Sequence, residues 1–160
     1  MRVTVNLRHL EAHEVELEGE LSAGDLDIET HDEVVEVGGP LYYKLEAQKI
    51  ENALLVQGSL RLQLDCQCVR CLKAFQFQLE LDPWTLHLPL SGEDAAPVSN
   101  DCVDLTPYIR EDILLEFPQH PLCERECRGL PKTSVGRPKS AKNADAVGSP
   151  AWTELNKLKL

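Results

Sequence analysis

The chain has 160 residues, of which 42% are hydrophobic and only 5% aromatic, and its formal net charge is −11. This length fits one domain with a tail, and the low aromatic content requires a core of aliphatic side chains. The acidic balance argues against a simple phosphate-binding protein, because such a field repels nucleic acid. No apolar run approaches the roughly 18 residues of a membrane span, and the N-terminal residues lack the apolar stretch of a signal peptide. We therefore expect a cytoplasmic protein with reduced thiols.

Apolar and polar residues alternate with a period of two through most of the first 90 residues, which predicts short strands with one buried face. The early runs cover residues 3–7, 14–21, 34–37 and 41–47, and the alternation also continues at Leu26 and Ile28. The glutamates of residues 14–21 fall on the exposed side of their strand. Gly38, Gly39 and Pro40 mark a firm turn.

The chain is organised around residues 54–81, which are expected to form two strands joined by a cysteine-bearing turn. Leu60, Leu62 and Leu64 alternate with polar residues before the turn, and a second alternating run covers residues 75–81 after it. A further run covers residues 84–90 and is expected to be a separate strand. About seven strands at short, regular spacing predict a largely antiparallel barrel or sandwich.

The pattern changes to helical spacing after a polar loop at residues 91–101. Asp104 is a good N-cap, Pro107 suits a first turn, and Pro118 ends the helix. The apolar positions of this helix are expected to pack on the sheet, and these are Leu105, Ile109, Ile113, Leu114 and Phe117. The charged positions can face solvent, and these are Arg110, Glu111, Asp112 and Glu116.

Together these elements predict an α+β fold, a β-rich antiparallel barrel or sandwich with one main helix packed on it and a flexible C-terminal tail. We expect a domain at residues 1–130, a flexible basic linker at 131–149 and a short helix at 150–160. The linker composition is too rich in Lys, Ser, Gly, Ala and Pro to bury enough apolar area for order.

Charge is divided unevenly along the chain. Residues 1–118 carry 8 Lys or Arg against 23 Asp or Glu, a net charge of −15, whereas residues 119–160 carry 8 against 4, a net charge of +4. An acidic body favours basic partners, and ribosomal proteins are the most abundant basic proteins of a cell. The basic tail is equally suited to salt-sensitive RNA contact, to folding against its own acids, or to keeping the chain soluble.

Two cysteine pairs carry the most specific chemistry of the sequence. Cys68 and Cys71 form a C-x2-C pair, and Cys123 and Cys127 form a C-x3-C pair, with 51 residues between the two pairs. Four thiolates suit tetrahedral Zn(II), provided that the helix returns the chain to the first pair. His120 is a possible substitute ligand. Cys66 and Cys102 have no partner at ligand spacing and are as well explained as small buried residues.

Redox chemistry is the alternative use of Cys68 and Cys71, because C-x-x-C also occurs in thiol oxidoreductases. In those proteins the motif precedes a helix in a βαβ unit, whereas here it lies inside a hairpin. The sequence contains no G-x-G-x-x-G, G-x-x-x-x-G-K-[ST] or H-E-x-x-H motif, so nucleotide and hydrolytic chemistry find no support.

These motifs resemble the YceD family of bacterial and plastid proteins, named for large ribosomal RNA subunit accumulation. The resemblance rests on Leu41-Tyr42-Tyr43, on Cys68-Val69-Arg70-Cys71-Leu72, and on the acidic helix leading to residues 121–130. It returns at residues 149–160, where the family ends in a short helix. It implies a non-enzymatic role in ribosome assembly, with a ribosomal protein or pre-ribosomal particle as partner, and a gene neighbourhood shared with a large-subunit ribosomal protein.

The chain departs from the family pattern after Leu130. Many members continue as G-L-C-P-x-C-G, but Pro131 and Ser134 stand at the corresponding cysteine positions. Two outcomes are open: Cys123 and Cys127 join Cys68 and Cys71, or the C-terminal motif has lost its metal.

Overall fold

The computed structural model describes residues 1–28 and 32–131. Within them the chain forms eight strands and one α-helix: β1 (Thr4–Asn6), β2 (Val15–Leu21), β3 (Val35–Val37), β4 (Leu41–Ile50), β5 (Ala53–Gln67), β6 (Ala74–Pro89), β7 (Val98–Ser99), β8 (Cys102–Asp104) and α1 (Thr106–Leu115). The fold is therefore β-rich and antiparallel with a helix, as the sequence predicts. The predicted linker and C-terminal helix lie outside the described residues.

Strand β5 is the centre of a curled five-stranded sheet, and β6, the longest strand, pairs with it. One edge of β5 pairs along its length with β6, while its other edge pairs first with β4 and then with β3. Strand β2 pairs with the far side of β4 and is an edge strand. The inward residues Leu60, Leu62 and Leu64 are completely buried, so the period of two identifies the core face correctly.

Residues 75–81 and 84–90, which the sequence predicts as separate strands, form one strand. Gly58 pairs with Trp84 and Leu60 pairs with Leu81, so two residues of β6 oppose Ser59 alone. This β-bulge moves the inward positions of β6 from odd to even numbers, and both halves of the strand keep their apolar side chains on the core face. The change of parity in the sequence therefore marks a bulge and not a strand boundary.

A second, three-stranded sheet has the order β1-β8-β7. Strands β7 and β8 begin within or just after the residues predicted as a polar loop, and they are too short to show a period. Leu26 and Ile28 are buried, but their backbone N–H groups bond to the Ser22 and Ala23 carbonyls within a turn, and they are not part of a strand.

Helix α1 packs through Ile109 and Ile113, both fully buried, and joins the sheet by a polar contact. The Trp84 indole Nε1–H of β6 donates to the Asp112 carboxylate over 2.7 Å. Asp112, which the pattern allows to face solvent, is only partly exposed, because its carboxylate accepts from this buried donor. Asp104 accepts from the backbone N–H of Thr106, although the residue at the N-cap position is Leu105.

No helix in the described part of the chain is long and apolar enough to cross a membrane.

Candidate metal centre

The first cysteine pair lies on the turn between β5 and β6. The backbone N–H of Cys68 donates to the Lys73 carbonyl over 2.9 Å, and the N–H of Leu72 donates to the Cys68 carbonyl over 2.9 Å. The Gln67 amide also donates to the Leu72 carbonyl over 3.1 Å. Leu72 has φ of +62°, the left-handed conformation that reverses the chain after the second cysteine. These bonds close residues 68–73 into a knuckle at the end of the long hairpin.

The second pair lies in an irregular segment after α1, and two hydrogen bonds hold this segment against the knuckle. The backbone N–H of Val69 donates to the Pro121 carbonyl over 3.0 Å, and the Arg70 guanidinium donates to the Cys127 carbonyl over 3.0 Å. Gly129 turns the chain with φ of +87°. The helix thus returns the chain to the knuckle, as a four-cysteine site requires.

The structure brings the four predicted cysteines together. Their Sγ atoms all lie within 4.8 Å of one another, with Cys71 and Cys123 at 3.5 Å and Cys68 and Cys127 at 3.7 Å. These separations exceed the length of a disulfide bond, and all six cysteines are free thiols. A zinc ion bound by four sulfurs at about 2.3 Å places the sulfurs about 3.8 Å apart. The cluster therefore lies within metal-binding distance and is compatible with zinc.

The pKa values of two thiols in the sulfur cluster are shifted in opposite directions. Backbone N–H groups, first that of Cys123 and then that of Cys71, stabilise the Cys68 thiolate and lower its pKa to about 6. The pKa of Cys123 is raised to about 12, chiefly by its hydrogen bond with the Cys71 thiol. A negative Cys68 sulfur beside a neutral Cys123 thiol is the expected result, because adjacent thiolates repel one another. A dication removes this obstacle by neutralising part of their charge.

The remaining candidate residues lie elsewhere. His120 is exposed and is not part of the four-residue sulfur group found among the described residues. Cys66 is a core residue with 4% exposure, and burial first, then Asp65, raises its pKa. Cys102 pairs in β8 with Asn6 and Ser99.

The sequence does not predict which hydrogen bonds hold the two cysteine pairs together. The bonds from Val69 to Pro121 and from Arg70 to Cys127 use carbonyl groups, which every residue has, so spacing gives no sign of them. Arg70 can offset thiolate charge, because its guanidinium belongs to the same turn as Cys68 and Cys71. In the structure its guanidinium also donates a hydrogen bond to the Cys127 carbonyl, which connects the two cysteine segments directly.

Comparison with known proteins identifies the group to which this arrangement belongs. Residues 56–159 match the family described as large ribosomal RNA subunit accumulation protein YceD. The chain belongs to the YceD family. The matched residues contain both cysteine pairs, and the family resemblance predicted from the motifs is confirmed. The family name links the chain to accumulation of large-subunit ribosomal RNA.

A relative from Mycobacterium leprae (strain TN), described as uncharacterized protein ML1660, is 28% identical over 105 residues. The match covers 61% of this YceD-family chain and 48% of the relative, so the chain spans about half the length of that protein. No solved structure matches the chain.

Proposed function

We propose that this YceD-family chain supports large-subunit ribosomal RNA accumulation by binding a component of the assembling particle, without catalysing a reaction. The observation that carries the proposal is the family match across residues 56–159. The strongly acidic residues 1–118 favour a basic ribosomal protein as the direct partner. In this proposal the protein works in the cytoplasm, where ribosomal particles are assembled.

Zn(II) held by Cys68, Cys71, Cys123 and Cys127 has a structural role in the proposed function. The four side chains fill a tetrahedral site, so no position is open for substrate or activated water. The ion would join the end of the β5–β6 hairpin to the segment after α1. Zinc sites of this kind contribute about 10 kcal/mol or more to folding in favourable cases.

Metal content and stability test the zinc site. We expect the native protein to contain one zinc per chain, and Cys71→Ser to lose most of it and melt at a lower temperature. Cys102→Ser is the matched control, because Cys102 lies outside the sulfur cluster and is expected to keep the metal. An unchanged melting temperature for Cys71→Ser, or metal-free native protein, would contradict the site.

Association with ribosomal particles tests the function itself. A tagged chain purified from a growing cell extract is expected to bring down large-subunit precursors, and its depletion is expected to lower large-subunit RNA relative to small-subunit RNA. A purification free of ribosomal markers, together with an unchanged RNA ratio, would overturn the proposal even if zinc is present.

A thiol redox role without a ribosomal link is the second candidate. The observation that favours it is the short distance between sulfurs, with the closest contacts running across the two segments from Cys71 to Cys123 and from Cys68 to Cys127. Thiol titration distinguishes the two functions. Stoichiometric zinc with unreactive thiols supports the structural site, whereas metal-free protein that forms a reversible disulfide with oxidised glutathione supports redox chemistry.

A further inference from the structure

We propose that the outer face of the five-stranded sheet is the docking surface for an extended Lys- and Arg-rich segment of a partner protein. This inference rests on the proposed function, whose partner it describes more closely. The surface, here named the acidic trough, is formed by Glu16, Glu18, Glu20, Tyr42, Glu46 and Asp82. It consists of two adjoining depressions with cavity volumes of about 500 and 260 Å³.

Strand pairing places these side chains on one face. Glu20 is opposite Tyr42 and Glu16 is opposite Glu46 across the β2–β4 pair, and all four side chains are exposed. Gly58 lies in the floor, where an added Cβ would meet the Lys44 carbonyl oxygen at 2.1 Å. The floor of the trough is therefore formed by backbone atoms of β4 and β5 in close contact, and the acidic side chains form its walls.

The charge of the trough is mostly uncompensated. Two cations also line the trough: Arg61 is already bound to Glu80 at 2.9 Å, and Lys44 faces Glu18 across the strand pair. Glu16 and Glu46 are like charges directly opposite, an arrangement that destabilises a sheet. Cationic side chains from a partner would relieve this repulsion, so charge complementarity favours a basic occupant and opposes RNA.

Tyr42 makes a protein segment a better fit than a simple cation. Its side chain is 55% exposed and lies between Glu20 of β2 and Arg61 of β5, the residues paired with it on either side. A lysine or arginine over such a ring gains a cation–π contact in addition to its ion pairs. An extended strand also suits the site, because β2 is an edge strand beside the trough.

Binding of a fluorescein-labelled peptide of alternating lysine and glycine to the purified full chain tests the trough. The triple variant Glu16→Gln, Glu18→Gln, Glu46→Gln is expected to bind at least tenfold more weakly at physiological salt. The control triple Glu93→Gln, Asp94→Asn, Glu111→Gln changes the net charge equally at exposed sites elsewhere. It is expected to lose less than about twofold, because these residues do not line the trough and salt screens exposed charges.

Tyr42→Ala leaves the charge unchanged and is expected to weaken peptide binding by about two- to fivefold through loss of the cation–π contact, while Tyr42→Phe retains it. Equal losses in the two triple variants, no effect of Tyr42→Ala, or tighter binding of a single-stranded RNA oligonucleotide to the same face would overturn the docking surface. Particle association without peptide binding overturns the trough alone. Peptide binding without particle association overturns the proposed function.

Discussion

At the scale of single residues, Leu72 occupies a conformation that its side chain disfavours. Its φ of +62° places it in the left-handed region, and its side chain is 55% exposed, so little packing offsets the strain. Because a non-glycine residue in this conformation costs about 1–2 kcal/mol, Leu72→Gly is expected to stabilise the metal-loaded protein by about 0.5–1 kcal/mol after the added chain entropy is subtracted. Urea unfolding measures the difference.

Val69→Gly is the control for that prediction, because Val69 lies in the same turn, is 40% exposed and has no positive φ. It is expected to lose stability. A loss in both variants would show that the Leu72 side chain contributes more than its backbone conformation costs.

The residue types of the candidate site are readable from the sequence, but their contacts are not. Thiol spacing selects Cys68, Cys71, Cys123 and Cys127 because two ligands on one tight turn can reach the same ion. Whether the pairs meet depends on the path of 51 residues, including a helix and a bulged strand, which local spacing does not determine. The role of Arg70 as a tie to Cys127 is unpredictable for the same reason.

At the scale of elements, the contact between β6 and α1 depends on one polar pair. Asp112→Ala leaves the Trp84 indole N–H without its 2.7 Å acceptor in a largely buried position. A hydrogen bond to a charged group contributes about 1.5–3 kcal/mol, so we expect a loss of this size in urea unfolding. Glu111→Ala, one position earlier on the exposed side of the helix, is the control and is expected to change stability by less than about 0.5 kcal/mol. Equal effects would exclude a special role for the pair.

The contribution of the β2–β4 strand pair to folding stability is expected to depend on pH. The Glu14 carboxyl, through a hydrogen bond and repulsion, raises the pKa of Glu46 above its ordinary value of 4.5, and Glu16 adds to the effect. The folded state therefore binds this proton more tightly than the unfolded state, so this contribution to stability is present below pH 4.5 and is lost as the pH rises through the folded pKa. Glu46→Gln is expected to melt higher than the parent at neutral pH, with the difference disappearing below pH 4.5.

Melting curves of Glu46→Gln and of the exposed loop control Glu93→Gln, recorded from pH 3 to 8, check this expectation. A difference that is independent of pH would show that repulsion with Glu14 and Glu16 is not its cause.

Periodicity predicts the long strands well because each has a buried and an exposed face over many residues. It correctly identifies the buried residues of β5 and locates the turn between β5 and β6 at the cysteines. It cannot detect β7 and β8, since two or three residues do not establish a period. It also divides β6 in two, because a bulge and a strand boundary both interrupt alternation at Asp82 and Pro83.

At the scale of the whole molecule, one side of the candidate metal centre is a segment without regular secondary structure. The sheet and helix bury a continuous aliphatic core. Residues 119–131 contain no strand or helix and contact the knuckle through two hydrogen bonds and the sulfur cluster. Segments with few buried apolar contacts open at low free energy, independently of the core. The metal is therefore expected to hold this segment in place, while the core stays folded without it but melts at a lower temperature.

Limited trypsin digestion tests this division of stability. After chelation of zinc, cleavage at Arg125 and Arg128 is expected to accelerate at least tenfold, because these residues lose their anchor, and added zinc is expected to restore protection. Cleavage at Arg61, in the middle of β5 and paired with Glu80, is the internal control and is expected to stay slow in both states. Unfolding of the whole domain on chelation would expose all three sites together and show that the metal holds the core. Equal cleavage with and without zinc would show that the two cysteine segments are joined by the protein contacts alone.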